Sequence, residues 1–162
     1  RLITVGMLAK ILRTGRVAEA APERPAPADT PKRLRGSLAL RHVDAGSCNG
    51  CEIELSGCFS PVYDAERYGA RLVASPRHAD GLLVTGVVTR NMASALRDTY
   101  DAVPGPTVVI AVGDCARNCG VFAGGPGVAG RVADVVPVDI EVPGCPPSPS
   151  DIIAALRRVT GR

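Results

Sequence analysis

The chain contains six cysteines, at positions 48, 51, 58, 115, 119 and 145, and their thiols are its best candidates for metal binding or redox chemistry. Cys48 and Cys51 form a CxxC pair, and Cys115 and Cys119 are separated by three residues. Thiolates in such patterns bind zinc or an iron–sulfur cluster. Disulfides fit poorly because a chain of 162 residues does not need them to stay folded. A thioredoxin-like redox pair would leave Cys115 and Cys145 unexplained.

The positions of these cysteines relative to the predicted strands indicate one shared site. The strands that precede them are predicted at Ser37–Ala45, Thr107–Val112 and Val135–Asp139. Cys48 and Cys51 follow the first strand, Cys115 the second and Cys145 the third. Because the carboxyl ends of parallel strands meet at one edge of a sheet, the thiols could converge there. Spacing alone leaves both zinc and a cluster open.

Predicted strands and helices alternate along the chain around the cysteines, with no tight hairpins. This alternation predicts an α/β fold with a doubly wound, mostly parallel sheet of the flavodoxin-like kind. Asp80–Gly86 is a near-continuous apolar run, typical of a strand covered on both faces. The other predicted elements are helices at Asp64–Gly69, Thr89–Tyr100 and Asp151–Thr160 and a strand at Arg71–Ser75. Ser148 or Ser150 is expected to cap the last helix.

Composition and charge divide the chain into three zones. Residues 1–19 are predicted to form a basic amphipathic arm, residues 20–36 a Pro-rich linker and residues 37–162 the α/β domain. The arm could lie on a membrane surface, dock in a partner's groove or pack on its own domain. Residues 1–36 carry eight basic and three acidic side chains, a net charge of +5, whereas the other 126 residues carry a net −2. A nucleic-acid partner is not expected, because the basic character does not belong to the domain.

Other patterns carry less weight. No apolar run approaches the roughly 18 residues that span a bilayer, so a membrane-spanning chain is not expected. Gly125–Gly130 satisfies GxGxxG but lacks the preceding strand and the following helix of a dinucleotide site. His42 and His78 are isolated in the sequence, and ordinary structural roles are expected for both.

Three motifs around the cysteines resemble those of a known family. They are Gly46–Leu55 (GSCNGCEIEL), Gly113-Asp114-Cys115 with the downstream Gly120 and Phe122, and Pro143–Pro149 (PGCPPSP). The family is that of the small subunits of membrane-bound, energy-converting (group 4) [NiFe] hydrogenases and formate hydrogenlyase-type complexes, which are similar to the B subunit of respiratory complex I. Complex I relatives have two adjacent cysteines where this chain has Cys48-x2-Cys51, so the resemblance favours the hydrogenase branch.

The resemblance implies which residues hold a cofactor. Cys48, Cys51, Cys115 and Cys145 would bind one [4Fe–4S] cluster, the one nearest the active site of the large subunit. Glu54 matches an acidic position beside the cluster, which implies a proton-handling or cluster-tuning role.

Three further residues have weaker assignments. Glu52 could substitute for Glu54, and the alternative for Glu54 itself is a solvated carboxylate at a helix start. Cys58 and Cys119 lie outside the motifs and are expected to be buried small side chains, although Cys119 is close enough to Cys115 to be an alternative ligand.

The resemblance also implies a function and a location. The chain would be an electron-transfer subunit of an oxidoreductase complex, with no catalysis of its own. It would relay electrons between a large [NiFe] subunit and an outer relay in a ferredoxin-like Fe–S subunit, while its arm contacts a membrane-embedded subunit. The complex would lie at the cytoplasmic face of the cell membrane. The alternatives are a complex I-like quinone-reducing subunit without nickel and a zinc-stabilised interaction module.

Overall fold

The computed structural model describes residues 7–15 and 34–162. The strands are β1 Leu38–Asp44, β2 Ala70–Leu72, β3 Gly81–Thr85, β4 Val88–Thr89, β5 Val108–Val112, β6 Val128–Gly130 and β7 Ile140–Val142. The α-helices are α1 Met7–Thr14, α2 Gly50–Cys58, α3 Arg90–Asp101, α4 Asp114–Asn118 and α5 Pro149–Thr160. Short 3-10 turns lie at Ala65–Tyr68, Pro76–His78, Gly120–Phe122 and Val132–Asp134.

Five strands form a wholly parallel sheet in the order β2-β1-β3-β5-β7. The order confirms the predicted doubly wound fold, because the chain runs from β1 outwards in one direction and then returns past β1 in the other. β4 and β6 form a separate antiparallel pair. The predicted buried strands are confirmed, since β3 and β5 bury all of their residues.

Alternate residues of the strands face two separate cores. On one face, Leu83 and Ile110 pack with residues of α2 and α5. On the other face, Leu82 and Val109 pack with Leu96 of α3. Covering helices on both faces explain why the central strands are apolar throughout.

Helix α5 begins at Pro149, two residues before the predicted start, and Ser148 is the one of the two predicted caps that is used. Ser148 is its N-cap, and its hydroxyl oxygen accepts a hydrogen bond from the Asp151 backbone N–H at 3.3 Å. The Asp151 carboxylate in turn accepts from Ser148 N at 3.2 Å, which completes a capping box. Thr89 is the N-cap residue of α3, but its hydroxyl donates to Ala45 O instead of capping the helix.

The strand predicted at Val135–Asp139 is wrong, since the chain joins the sheet only at Ile140. Val135, Val136 and Val138 contribute to the second core instead, so their apolar character reflects packing and not pairing. Asp139 ends this segment, with its carboxylate accepting from Val109 N at 2.7 Å. Two smaller differences concern β2, which is shorter than predicted, and the helix predicted at Asp64–Gly69, which is a single 3-10 turn.

The predicted arm includes α1, whose Leu12 is 78% exposed. The flanks of α1 and the predicted linker up to residue 33 lie outside the described residues. Leu34 is buried in the first core, and Gly36 N donates to Thr160 O at 2.7 Å. The described body therefore includes residues that precede position 37. In the part of the chain that the structure describes, no helix has the length and apolar character needed to cross a membrane.

Candidate metal centre

Three loops at the carboxyl edge of the sheet carry the predicted ligands. Cys48 and Cys51 lie in the loop after β1 and at the start of α2, Cys115 lies in α4 directly after β5, and Cys145 follows β7. The sheet order places β3 between β1 and β5, so the first loop must cross the end of β3 to reach the others.

The loop after β1 makes this crossing over Gly86. Ala45 N donates to Thr85 O at 3.0 Å, which extends β1 past the end of β3. Gly86 has a φ of +77°, and a Cβ at this position would collide with the backbone N of Ser47. A glycine is therefore required where the first cysteine loop rests on the end of β3.

Backbone hydrogen bonds join the other two loops. Gly113 N donates to Val142 O, and Asp114 N donates to Gly144 O, both at 2.8 Å. Cys115 and Cys145 each lie one residue beyond these contacts. The pairing of β5 with β7 therefore continues into the two segments that carry the thiols.

Gly113 also makes room for a thiol. A Cβ on Gly113 would stand 2.6 Å from Cys51 Sγ and 3.5 Å from Gly144 O. Its φ of 91° and ψ of 161° belong to a region that essentially only glycine occupies. Cys51 Sγ thus lies against the backbone of the second loop and close to the third.

The electrostatic coupling of the thiols agrees with this proximity. Burial raises the pKa of Cys51 to about 12 from the ordinary 9.0, together with the negative charges of Glu52, Cys115, Cys48 and Cys145. The pKa of Cys115 is also raised, first by burial and then by the charges of Cys145 and Cys48. The four predicted ligands are therefore close enough to one another for their charges to interact.

The site is open on one side. Cys51 and Cys115 are buried, whereas Cys48 and Cys145 are exposed. A groove of about 470 Å³ begins at Ser47, the neighbour of Cys48, and its lining also includes Val87 and Phe122. A group held by the thiols would have a protein wall behind it and an apolar surface beside it.

His42 and Glu52 form a feature that the sequence did not reveal. Neither oxygen of the largely buried Glu52 carboxylate has a hydrogen-bond partner, and His42 Nε2 lies 3.8 Å from Glu52 Oε1. His42 Nε2 also lies 2.9 Å from Thr85 Oγ1. Burial lowers the pKa of His42, although the charges of Glu52 and Asp44 oppose this shift. The imidazole is held in the site wall, next to the helix turn that carries Cys51.

The remaining predicted residues have different surroundings. Glu54 is half-buried, and its backbone oxygen accepts a hydrogen bond from Cys58 Sγ at 3.3 Å. Cys58 is fully buried, as predicted, and its thiol also contacts Pro149 O at 3.5 Å. Cys119 is only partly buried, not buried as predicted, and has a left-handed φ of 68°. The structure thus separates Cys58 from the four thiols and leaves Cys119 beside Cys115.

The donor set that the three loops supply fits an iron–sulfur cluster better than a single metal ion. Within residues 7–15 and 34–162, no three His, Cys, Asp or Glu side chains are arranged so that they could hold a single metal ion. A [4Fe–4S] cluster is held by four cysteine thiolates, which is the donor set that the three loops supply. Glycine at position 113 leaves free the space beside Cys51 Sγ that any larger residue would fill.

Comparisons with known proteins agree with the motifs. The chain is 48% identical to "Probable membrane-bound hydrogenase subunit mbhJ" of Pyrococcus furiosus, over 69% of this chain and 67% of that protein. It is 45% identical to "Formate hydrogenlyase subunit 7" of Escherichia coli over 80% of this chain, and the match spans about half (51%) of that relative. A solved chain of the membrane-bound sulfane sulfur reductase, an archaeal respiratory membrane complex, is 30% identical with a TM-score of 0.68, covering 78% of this chain and 70% of that one.

These relatives are named as subunits of oxidoreductase complexes, which confirms the resemblance drawn from the three cysteine motifs. The sequence profile of one family, described as NADH ubiquinone oxidoreductase, 20 Kd subunit, matches residues 48–159 and so covers all four predicted ligands. The chain belongs to this family of NADH ubiquinone oxidoreductase 20 Kd subunits.

Proposed function

We propose that this chain is an electron-transfer subunit that carries one [4Fe–4S] cluster on Cys48, Cys51, Cys115 and Cys145. The observation that carries the proposal is the contact of the three cysteine-bearing loops at one edge of the sheet, where a Cβ on Gly113 would stand 2.6 Å from Cys51 Sγ and 3.5 Å from Gly144 O. A cluster of this kind, when bound, exchanges single electrons, and its potential depends on burial, charge and hydrogen bonds to sulfur.

The four proposed ligands differ in their exposure to solvent. Cys51 and Cys115 are buried and bind the cluster from the protein side, where they exclude water. Cys48 and Cys145 are exposed and bind it from the outer side. Burial raises the pKa of both Cys51 and Cys115, so the binding of iron would have to displace a proton from each thiol.

The surface beside the thiols supports a partner at this edge. Ile53 and Val121 are large apolar side chains that are 68% and 82% exposed. In line with the hydrogenase names of the relatives, we propose that a large [NiFe] subunit covers this edge. The cluster would then pass electrons between that subunit and an outer relay in a ferredoxin-like Fe–S subunit.

The location follows from the same relatives. Two of them are named as parts of membrane-bound complexes, so we propose a peripheral subunit at the cytoplasmic face of the cell membrane. The amphipathic arm of residues 1–19, which includes α1, would contact a membrane-embedded subunit. The predicted linker of residues 20–36 would join it to the iron–sulfur domain, although Leu34 and Gly36 already belong to the folded body.

Replacing one ligand tests the cluster assignment. In the complex purified without oxygen, Cys145→Ala should abolish the visible absorption that dithionite bleaches and the electron paramagnetic resonance signal of the reduced cluster. Cys119→Ala is the matched control, because Cys119 lies beside Cys115 and should not be needed. A full cluster signal in Cys145→Ala, or its loss in Cys119→Ala, would contradict the ligand set.

A second candidate is a subunit of a nickel-free oxidoreductase. It is favoured by the likeness to the sulfane sulfur reductase chain and by the family description. Iron, nickel and zinc in the native complex, normalised to this chain, separate the alternatives. Iron with stoichiometric nickel supports the hydrogenase assignment, and iron without nickel supports a quinone- or other-acceptor complex. Zinc alone would mean a zinc-stabilised interaction module without a redox role.

A further inference from the structure

Asp114 joins the segments of two proposed ligands with both its backbone and its side chain. Its N–H donates to Gly144 O at 2.8 Å, and its Oδ1 accepts from Gly144 N at 3.1 Å. Asp114 precedes Cys115, and Gly144 precedes Cys145, so each contact lies next to a thiol-bearing residue. A rotation of the Asp114 carboxylate would release one of the two hydrogen bonds that hold the Cys145 loop.

Arg117 holds that carboxylate in place from the same helix. Its Nη1 donates to Asp114 Oδ1 at 3.0 Å, and its Nε donates to Glu141 Oε2 at 3.1 Å. Glu141 belongs to β7, the strand that leads into the Cys145 loop. One guanidinium therefore connects α4, which carries Cys115, to β7. The planar fork of arginine permits both contacts at once, whereas a lysine ammonium is a single point charge.

These contacts have little reason to exist for folding alone. Arg117 and Asp114 have about a third of their side-chain surface in water, and Glu141 more. Ion pairs at such exposure contribute little to stability. The orientation of a metal-binding site, in contrast, depends on the groups behind the ligands.

We propose that Arg117 is a positioning residue, which through Asp114 and Glu141 fixes the Cys145 loop relative to Cys115 and so sets the retention and the potential of the cluster. This inference rests on the proposed function. Arg117 also balances the charge of Asp114, the residue next to Cys115, which it contacts at 3.0 Å. Without Arg117 that carboxylate charge is unbalanced and disfavours the reduced, more negative state of the cluster. Loss of Arg117 should therefore shift the midpoint potential towards more negative values.

The test compares Arg117→Ala and Arg117→Lys with Arg131→Ala in the anaerobically purified complex. Arg131 is a matched control because its Nε makes a similar contact, 3.2 Å to Asp134 Oδ1, on a segment that carries no cysteine. The readouts are the rate of iron loss to a chelator and the midpoint potential from a titration followed by electron paramagnetic resonance.

We expect Arg117→Ala to lose iron about 10-fold faster and to have a more negative potential. Arg117→Lys should recover most of the potential but less of the retention, because the lysine keeps the charge and loses one contact. Arg131→Ala should match the wild type. An Arg117→Ala protein that matches Arg131→Ala in both readouts would refute the positioning role while the cluster itself remains. A wild-type complex without a cysteine-ligated cluster would refute the proposed function instead, and this inference with it.

Discussion

Gly113→Ala is predicted to expel the proposed cluster by displacing the Cys51 thiol. The new Cβ would stand 2.6 Å from Cys51 Sγ, so one of the two must move by about 1 Å to reach an ordinary contact distance. A productive site tolerates displacements of about 0.5 Å. The φ of 91° and ψ of 161° add backbone strain of about 1–3 kcal/mol for any residue with a Cβ.

Iron content and stability report these two effects separately. We expect Gly113→Ala to retain at most about a tenth of the wild-type iron per chain after anaerobic purification. In the iron-free protein, urea unfolding should show a loss of about 1–3 kcal/mol from the strain. Gly113→Ala with wild-type iron content and an unchanged reduced-state spectrum would refute the reasoning.

Two glycines of one loop provide controls for this experiment. Gly124 has a φ of +77° with no atom within 4 Å of an added Cβ, so Gly124→Ala tests backbone strain without a collision. Gly127 has the same free space without a positive φ, so Gly127→Ala introduces neither backbone strain nor a collision. Both variants should keep the cluster. Iron loss in Gly124→Ala equal to that in Gly113→Ala would show that strain, and not the thiol, is responsible.

Two further predictions concern pH and use urea unfolding of the iron-free protein. Burial raises the pKa of Cys58 to about 11 from 9.0, so the unfolded thiol ionises first and stability falls above pH 9, by about 1.4 kcal/mol at pH 10. Cys58→Ala should lack this part of the alkaline decline, and an unchanged decline would contradict the prediction. Burial lowers the pKa of His42 below 6.5, so the unfolded imidazole takes up its proton first and stability falls as pH drops below 6.5. His42→Gln should flatten this decline whereas the exposed His78→Gln should not, and equal slopes in the two variants would disprove the assignment.

Much of the fold could be predicted because the sheet is covered on both faces. Strands such as β3 and β5 bury all of their residues and therefore appear as uninterrupted apolar runs. The same apolar pattern led to the wrong prediction of a strand at Val135–Asp139, because the valines of this segment pack in the second core without pairing in the sheet. The chain reaches the sheet at Asp139, whose carboxylate accepts a hydrogen bond from Val109 N. Aspartate is depleted in strands, so the sequence pattern does not indicate a strand at this point.

Of the candidate site, only the proposed ligands could be identified from the sequence. Cysteine spacing and the position of each cysteine after a strand are visible in the sequence. The Arg117 contacts are less so: an Asp and an Arg three residues apart at a helix start indicate one ion pair, but Glu141 lies 24 residues away and is reached only through the pairing of β5 with β7. The same holds for His42 and Glu52, which come from a strand and a helix whose packing angle no local pattern defines.

The segment before β1 and the end of α5 lie side by side at the edge of the sheet opposite to the thiols. Gly36 N donates to Thr160 O just before β1 begins and just where α5 ends, at the amino edge of the sheet. A strand as long as β1 spans about 20 Å, which separates this junction from the cysteine loops. A fusion partner or a surface linker joined at either of these positions would therefore leave the thiol edge uncovered.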